Sequence, residues 1–192
     1  MDVYLTNFHL NTFVDNKEYD DYLGEATRWY YSKSGDNHYR LLSYLSTLYQ
    51  DKTILDIGTY TGASAFALSF NKKNKVISMD IKKSNKKLYN NQFPNIEFKI
   101  MNVLKHPELI DSASLIFLDT SPHQGGFEKE VYDCLIDSEW KGVLIADDIN
   151  LNNEMKSWWS SIDDSLKIDV TKYGHSTGTG LVNFSKDNFY LV

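Results

Sequence analysis

The sequence predicts an α/β fold: a doubly wound, mostly parallel seven-stranded sheet with helices on both faces and a C-terminal antiparallel hairpin. Three observations carry this. Short runs of β-branched and aliphatic residues alternate with stretches of helical spacing through the middle of the chain. The residues just at or after successive strand ends are acidic or small and polar. Near the C-terminus the alternation stops, and two strand-like runs follow one another with no helix between them.

Taken in order, residues 18–33 and 36–50 have helical spacing, the second placing Leu41, Leu42, Leu45 and Leu48 on one face. In "ILDIGTYTGASAFALS" (54–69), a buried parallel strand is predicted up to Ile57, a tight turn from Gly58 to Gly62, and a helix from Ala63 to Leu68. A strand "KVISMD" (75–80), a helical stretch (84–92) and a strand "IEFKIM" (96–101) follow. Then come a strand "SLIFLD" (114–119), a helix (126–137), a strand "GVLIADD" (142–148) and a helix (152–162). The runs "LKIDVTKYG" and "GTGLVNFS", joined through "HSTGT", form the hairpin. No internal repeat or low-complexity tract interrupts the pattern.

With 192 residues, 42% of them apolar, the chain suffices for one core, so a single domain over 1–192 is expected. A formal net charge of −6 argues against a nucleic-acid partner. The lysines at 72, 73, 75, 82, 83, 86 and 87 read as a solvated face. A lone cysteine, Cys134, excludes a disulfide framework and a cysteine-rich zinc site. "MDVYLTNFHLNTF" is broken by polar residues, and no run approaches the roughly 20 apolar residues of a membrane span. A cytoplasmic protein with no membrane partner is expected.

Open sheets of this kind bind ligands beyond the carboxyl ends of their strands. Here that rim carries Asp56 and Gly58, Asp80, Asn102, Asp119, and Asp147 with Asp148. So many acids repel one another and call for cations or hydrogen-bond donors. The run Gly58-Thr59-Tyr60-Thr61-Gly62 lacks the G-x-G-x-x-G fingerprint of a dinucleotide site. An acid beside the turn suits a cationic ligand such as S-adenosylmethionine, with glycines allowing close backbone approach. Asp80 is placed to accept from ribose hydroxyls, with a strand-terminating cap as the competing reading, and Asn102 either donates to adenine or is an exposed turn residue.

"DIGTYTGAS" resembles the first motif of the class I S-adenosylmethionine-dependent methyltransferases. More narrowly, it is similar to the catechol and caffeoyl-coenzyme A O-methyltransferase branch, through Asp56, Gly58, Tyr60, Gly62 and Ser64. The resemblance continues through Asp80, "FLD" (117–119), "IADDI" (145–149) and "SGDNHYRLL" (34–42), and covers about residues 34–150. It implies a Rossmann-like fold, with residues 1–50 covering the acceptor pocket and residues 51–192 forming the cofactor-binding core. It implies cofactor contacts at the five motif positions, Asp80 and Asp119. It also implies a divalent metal, Mg²⁺ or another, at Asp119, Asp147 and Asp148, which orients the oxygen of a small-molecule acceptor for in-line methyl transfer. Asp148 stands where many relatives have asparagine. The lysine that animal catechol enzymes carry shortly after the first metal aspartate is missing, and His123 in "LDTSPHQGGFE" is the candidate base.

Competing readings remain for several residues. Asp147 and Asp148 suit the N-cap of the helix near Asn152. His175 in "GHSTGTG" sits at a hairpin that reaches the pocket or points away, with the structural reading favoured, and the Trp29-Tyr30-Tyr31 trio reads as core or as a pocket cover. Of Trp158 and Trp159, one is expected in the core and the other covering a surface or an interface. Two other functions fit the same motifs: an S-adenosylmethionine-binding module without turnover, and an aminopropyl-transfer enzyme whose acids bind a polyamine. A second copy of the chain completing the acceptor site, as a homodimer, is the macromolecular partner considered.

Overall fold

The computed structural model describes residues 1–12, 19–24, 30 and 33–192. Its centre is a seven-stranded sheet built from β2 (Thr53–Ile57), β3 (Lys75–Asp80), β4 (Ile96–Ile100), β5 (Ala113–Leu118), β6 (Val143–Asp147), β7 (Lys167–Asp169) and β8 (Thr179–Asn183). The strands lie in the order β4-β3-β2-β5-β6-β8-β7. All pairs are parallel except those made by β8, which runs antiparallel to both β6 and β7. The chain starts at the centre, winds outward through β3 and β4, and returns to β5, so its direction of winding reverses beside β2.

The central strands are near-continuous apolar runs because they are covered on both faces. Period-two alternation divides their side chains between two cores. Ile54, Leu115, Phe117, Val143 and Ile145 pack on one face, and Leu55, Ile116, Leu118, Leu144 and Ala146 on the other. The first face is covered by α3 (Lys33–Thr47) and α4 (Ala63–Leu68), through Leu41, Leu42, Leu45, Phe66 and Leu68. The second is covered by α6 (Pro107–Ser112), α7 (Gly126–Asp137) and α8 (Asn153–Ser161), through Ile110, Val131, Leu135, Met155 and Trp158. Short helices α1 (Asn7–Asn11), α2 (Asp20–Leu23) and α5 (Lys86–Tyr89) complete the described helices.

Several elements differ from expectation. The N-terminal segment forms β1 (Asp2–Leu5), which pairs in parallel with β9 (Asn188–Leu191) outside the main sheet. Val3 and Leu5 are buried there and Asp2 and Tyr4 exposed, the alternation of a strand covered on one face. The helix expected over 84–92 is only the single turn of α5, while Pro107 at the first turn of α6 starts a helix the pattern did not show. The first strand of the hairpin stops at Asp169 and continues as a 3₁₀ turn, Thr171–Tyr173. Trp158 and Trp159 are both buried, correcting the assignment of one to the surface. Trp158 lies against Gly125 and Trp159 against Gly180 of β8, so the loop before α7 and the sheet receive the two adjacent rings. The helix expected over 18–33 is described only in part, and Trp29 and Tyr31 lie outside the described residues. Tyr30 is buried and stacks on Tyr39 with ring centroids 4.4 Å apart.

Candidate active site

The parallel register aligns the ends of β2, β3 and β5, because Ile57 pairs with Met79 on one side and Leu118 on the other. The turn after β2 is therefore flanked by Asp80 and Asp119. The Gly58 amide donates to the Met79 carbonyl, and the Asp119 amide to the Ile57 carbonyl. Gly58 has φ +110°, and a Cβ there would lie 1.7 Å from the backbone oxygen of Asp119. Only glycine fits so close an approach at positive φ. At Gly62, with φ +92°, a Cβ would meet the Leu88 side chain at 2.8 Å. Between them Tyr60 also takes positive φ and exposes its ring.

Asp56 is completely buried beneath this turn. The Ser78 hydroxyl donates to its Oδ2 at 2.5 Å, while Oδ1 is buried with no hydrogen-bond partner in the protein. Burial pushes its pKa up to about 7, against the pull of the Ser78 and Ser64 hydroxyls. Ser64, the second residue of α4, is also buried. Asp80 is already engaged locally: Oδ2 accepts from the Tyr60 amide at 3.1 Å and Oδ1 from the Lys82 amide at 2.9 Å. Each oxygen keeps a lone pair for a further donor. Asn102 caps the 3₁₀ turn Val103–Lys105 through Oδ1, which leaves its amide group available to donate.

The second half of the rim lies at the ends of β5 and β6. Asp119, Asp147 and Asp148 all come to this edge, and Asp147 and Asp148 are buried. The N-cap of α8 is Asn152, so neither acid is used for that purpose. Asn152 also donates to the His123 carbonyl at 2.8 Å, which ties the loop after β5 to the start of α8. His123, at φ +55°, places Nδ1 3.3 Å from Asp148 Oδ2 and 3.9 Å from Asp119 Oδ1.

Four further residues join them. Because β8 is antiparallel to β6, Thr179 pairs with Asp147, and the hairpin residues just before β8 arrive at the same edge. His175 Nδ1 lies 2.5 Å from Thr177 Oγ1, and the Thr177 hydroxyl donates to Asp148 Oδ1. The single Thr177 proton is used by the carboxylate, so His175 Nδ1 carries the proton it shares with Thr177. From α3, buried His38 places Nδ1 3.8 Å from Asp147 Oδ1, with Thr179 Oγ1 3.3 Å from the same oxygen. His175 was read as structural, and His38, Thr177 and Thr179 were not singled out. The local signals were the dense "HSTGTG" run and, for His38, the stretch "SGDNHYRLL".

Burial sets the charge pattern. It raises Asp119, with Asp147 and Asp148 repelling it further, and raises Asp147 to about 7. Burial also works against Asp148, but donors from His175 and Thr177 and the neighbouring histidines outweigh it and hold this acid low. The hydrogen bond toward Asp148 raises His175. Burial and His175 lower His38 to about 3, which keeps it neutral. Tyr39 of α3 is raised by burial and by Asp119 and Asp147. Of the three acids, Asp148 is thus the one held ionised, with a neutral imidazole, His38, behind the rim.

The fold is shared with solved O-methyltransferases. TomG from Streptomyces achromogenes, solved with S-adenosylmethionine, is 16% identical with a TM-score of 0.61, covering 93% of this chain and 94% of that one. A putative caffeoyl-CoA O-methyltransferase from Staphylococcus aureus is 15% identical with a TM-score of 0.62, over 92% and 96%. The O-methyltransferase from Bacillus cereus, in complex with SAH, is 16% identical with a TM-score of 0.57, over 92% and 95%. The architecture is the Rossmann-like one of class I S-adenosylmethionine-dependent methyltransferases, as the motif resemblance implied. No protein-family model and no curated protein sequence matches the chain. No helix among the described residues is long and apolar enough to cross a membrane.

Proposed function

We propose that the protein is an S-adenosylmethionine-dependent methyltransferase that methylates an oxygen of a small molecule with the help of a divalent cation. The observation that carries this reading is the buried Asp56, whose unpartnered Oδ1 lies under a turn where Gly58 and Gly62 leave no room for a Cβ. An orphaned buried carboxylate oxygen asks for a donor, and an ammonium ligand supplies one with compensating charge. Two of the solved neighbours, TomG and the Bacillus cereus enzyme, hold S-adenosylmethionine and its demethylated product in the same fold, which supports the choice.

When bound, the sulfonium supplies the methyl group and the cation polarises the acceptor oxygen. The chain's residues bind and orient. Asp56 takes the ammonium end, the backbone between Gly58 and Gly62, with Tyr60 and Ser64, encloses the methionine portion, and Asp80 accepts from the ribose. Asn102 faces the base, and the Asp119 backbone closes the far side of the turn. The acids at 119, 147 and 148 supply the negative charge a divalent cation requires. On the acceptor side, His38 and Tyr39 of α3 face the acids.

Calorimetric titration of S-adenosylmethionine and its demethylated product, with NAD as control and with Mg²⁺, Mn²⁺ or chelator, tests the cofactor. Micromolar binding of the first two but not NAD is expected, followed by cation-dependent methylation within a catechol-like panel. Absence of binding under all conditions removes the reading. A binding module without turnover is the second reading, favoured by one observation: the loop after Asp119 holds Pro122 and His123 and no lysine. Tight cofactor binding with no methylation of any acceptor is its signature.

A further inference from the structure

We propose that His123 is a metal ligand and that Asp119, His123 and Asp148 form a two-carboxylate, one-imidazole centre selective for a borderline transition-metal ion over Mg²⁺. This rests on the methyltransferase reading for its purpose but not for its chemistry, since the donor set stands on the positions of three side chains. One ligand atom from each lies within 4.8 Å of the others. An ion about 2.1 Å from each donor puts neighbouring donors about 3.0–3.4 Å apart. The separation of 3.3 Å from His123 Nδ1 to Asp148 Oδ2 is within that range. The 3.9 Å to Asp119 Oδ1 exceeds it by an amount that a small side-chain rotation closes.

A second triad, Asp147, Asp148 and His175, meets the same distance criterion and shares Asp148. Its hydrogen bonds argue against its being the centre. His175 Nδ1 carries the proton it shares with Thr177, so ligation through it would break that bond, and Asp148 Oδ1 is already held by the Thr177 hydroxyl. Asp147 accepts from Thr179 and lies beside the buried His38. The two oxygens of Asp148 thereby divide their duties: Oδ1 is fixed from behind by Thr177, and Oδ2 faces His123. A ligating carboxylate held by its second oxygen is the usual outer-shell arrangement of a metal site. Asp147 then belongs to that supporting layer, where its charge acts without direct coordination.

The donor types set the selectivity. Mg²⁺ requires hard oxygen ligands and keeps most of its water, whereas imidazole suits Fe²⁺, Co²⁺, Ni²⁺ and Zn²⁺. Ligation through Nδ1 also reassigns His123 from the expected general base to a group that positions the cation.

The test uses Co²⁺ as the probe, titrated into chelator-treated full-length protein and read by its visible absorption, with Mg²⁺ as competitor. Wild type is expected to bind Co²⁺ at least about tenfold more tightly than Mg²⁺ and to show a ligand-field band with nitrogen character. His123→Asn keeps a residue that tolerates positive φ, so it should fold while losing about tenfold or more in Co²⁺ affinity and shifting the band. Mg²⁺ binding should change less than about threefold. Asp119→Asn should lose Co²⁺ affinity to a similar degree as His123→Asn, and Asp147→Asn much less. Co²⁺ affinity unchanged in His123→Asn, or an Asp147→Asn loss equal to that of Asp119→Asn, overturns the assignment. Cofactor calorimetry on the same samples separates the two readings: metal binding through His123 without S-adenosylmethionine binding defeats the methyltransferase reading alone, and the converse result defeats this one alone.

Discussion

Asp56→Asn offers a sharp test because the sign of its effect changes with pH. The wild-type carboxyl stays protonated in the folded state up to about pH 7, against 3.8 in its ordinary state. A buried acid raised in this way favours folding less as pH rises: nothing is lost below about pH 4, loss accumulates between about 4 and 7, and it levels off above. Three units at about 1.4 kcal/mol each give roughly 4 kcal/mol of destabilisation from the ionised group at pH 8. Asparagine removes that charge and keeps an oxygen for the Ser78 hydroxyl. It also places an amide where Oδ1 has no partner, at a cost of about 1–3 kcal/mol. The variant should therefore be less stable than wild type at pH 4.5 and more stable by about 1–3 kcal/mol at pH 8, a rise in Tm of several degrees. Thermal and urea unfolding of both proteins across pH 4–8 measure the difference. The other raised acids, Asp119 and Asp147, are present in both proteins and largely cancel. A stability difference that stays flat, or that grows more unfavourable to the variant as pH rises, would refute the burial argument. The same substitution should weaken S-adenosylmethionine binding at least tenfold, about 1.4 kcal/mol.

Gly58→Ala should cost about 3 kcal/mol or more, because its Cβ meets the Asp119 carbonyl at positive φ; a urea midpoint near that of wild type would contradict the close approach. Asp80→Ala should leave stability within about 1 kcal/mol, since the acid lies at the surface of the turn, yet reduce affinity for the demethylated cofactor about tenfold or more by calorimetry. Equal binding in variant and wild type removes Asp80 from the ribose site. Leu5→Ala in β1 should cost about 2–5 kcal/mol with an unchanged urea dependence, and a loss below about 1 kcal/mol would mean that β1 and β9 lie outside the cooperative unit.

The turn proposed to hold the cofactor was legible in the sequence as a strand-turn-helix because it is local. Asp56, Gly58, Tyr60, Gly62 and Ser64 lie within nine consecutive residues, and their strand-turn-helix pattern fixes how they face. Asp80 and Asp119 were legible for a related reason, since each ends or follows an apolar strand and parallel register aligns strand ends. The β1–β9 pair was not, because its hydrogen bonds join residues 186 apart and four residues of alternation carry little signal. Trp158 and Trp159 show the limit of helical geometry used alone. Adjacent residues point to different sides of a helix, but both sides of α8 are covered, one by the Gly125 loop and one by β8.

The residues that α3 and the hairpin bring to the acids at 119, 147 and 148 were hidden by topology. His38 and Thr179 are 141 residues apart, and they meet because α3 crosses the face of the sheet where β8 begins. An antiparallel strand next to β6 starts at the edge where β6 ends, so the loop before it necessarily reaches the acids. With a parallel strand in that place, the loop would lie at the opposite edge and Asp147 and Asp148 would face only their own chain segment. The hairpin therefore closes the sheet and also supplies His175 and Thr177, whose hydrogen bonds keep Asp148 ionised against its burial. That makes the charge on Asp148 a property of the hairpin's register. A deletion that shortens the loop between β7 and β8 should disturb cation binding before it disturbs the cofactor turn, which is built from β2, β3 and β5 alone.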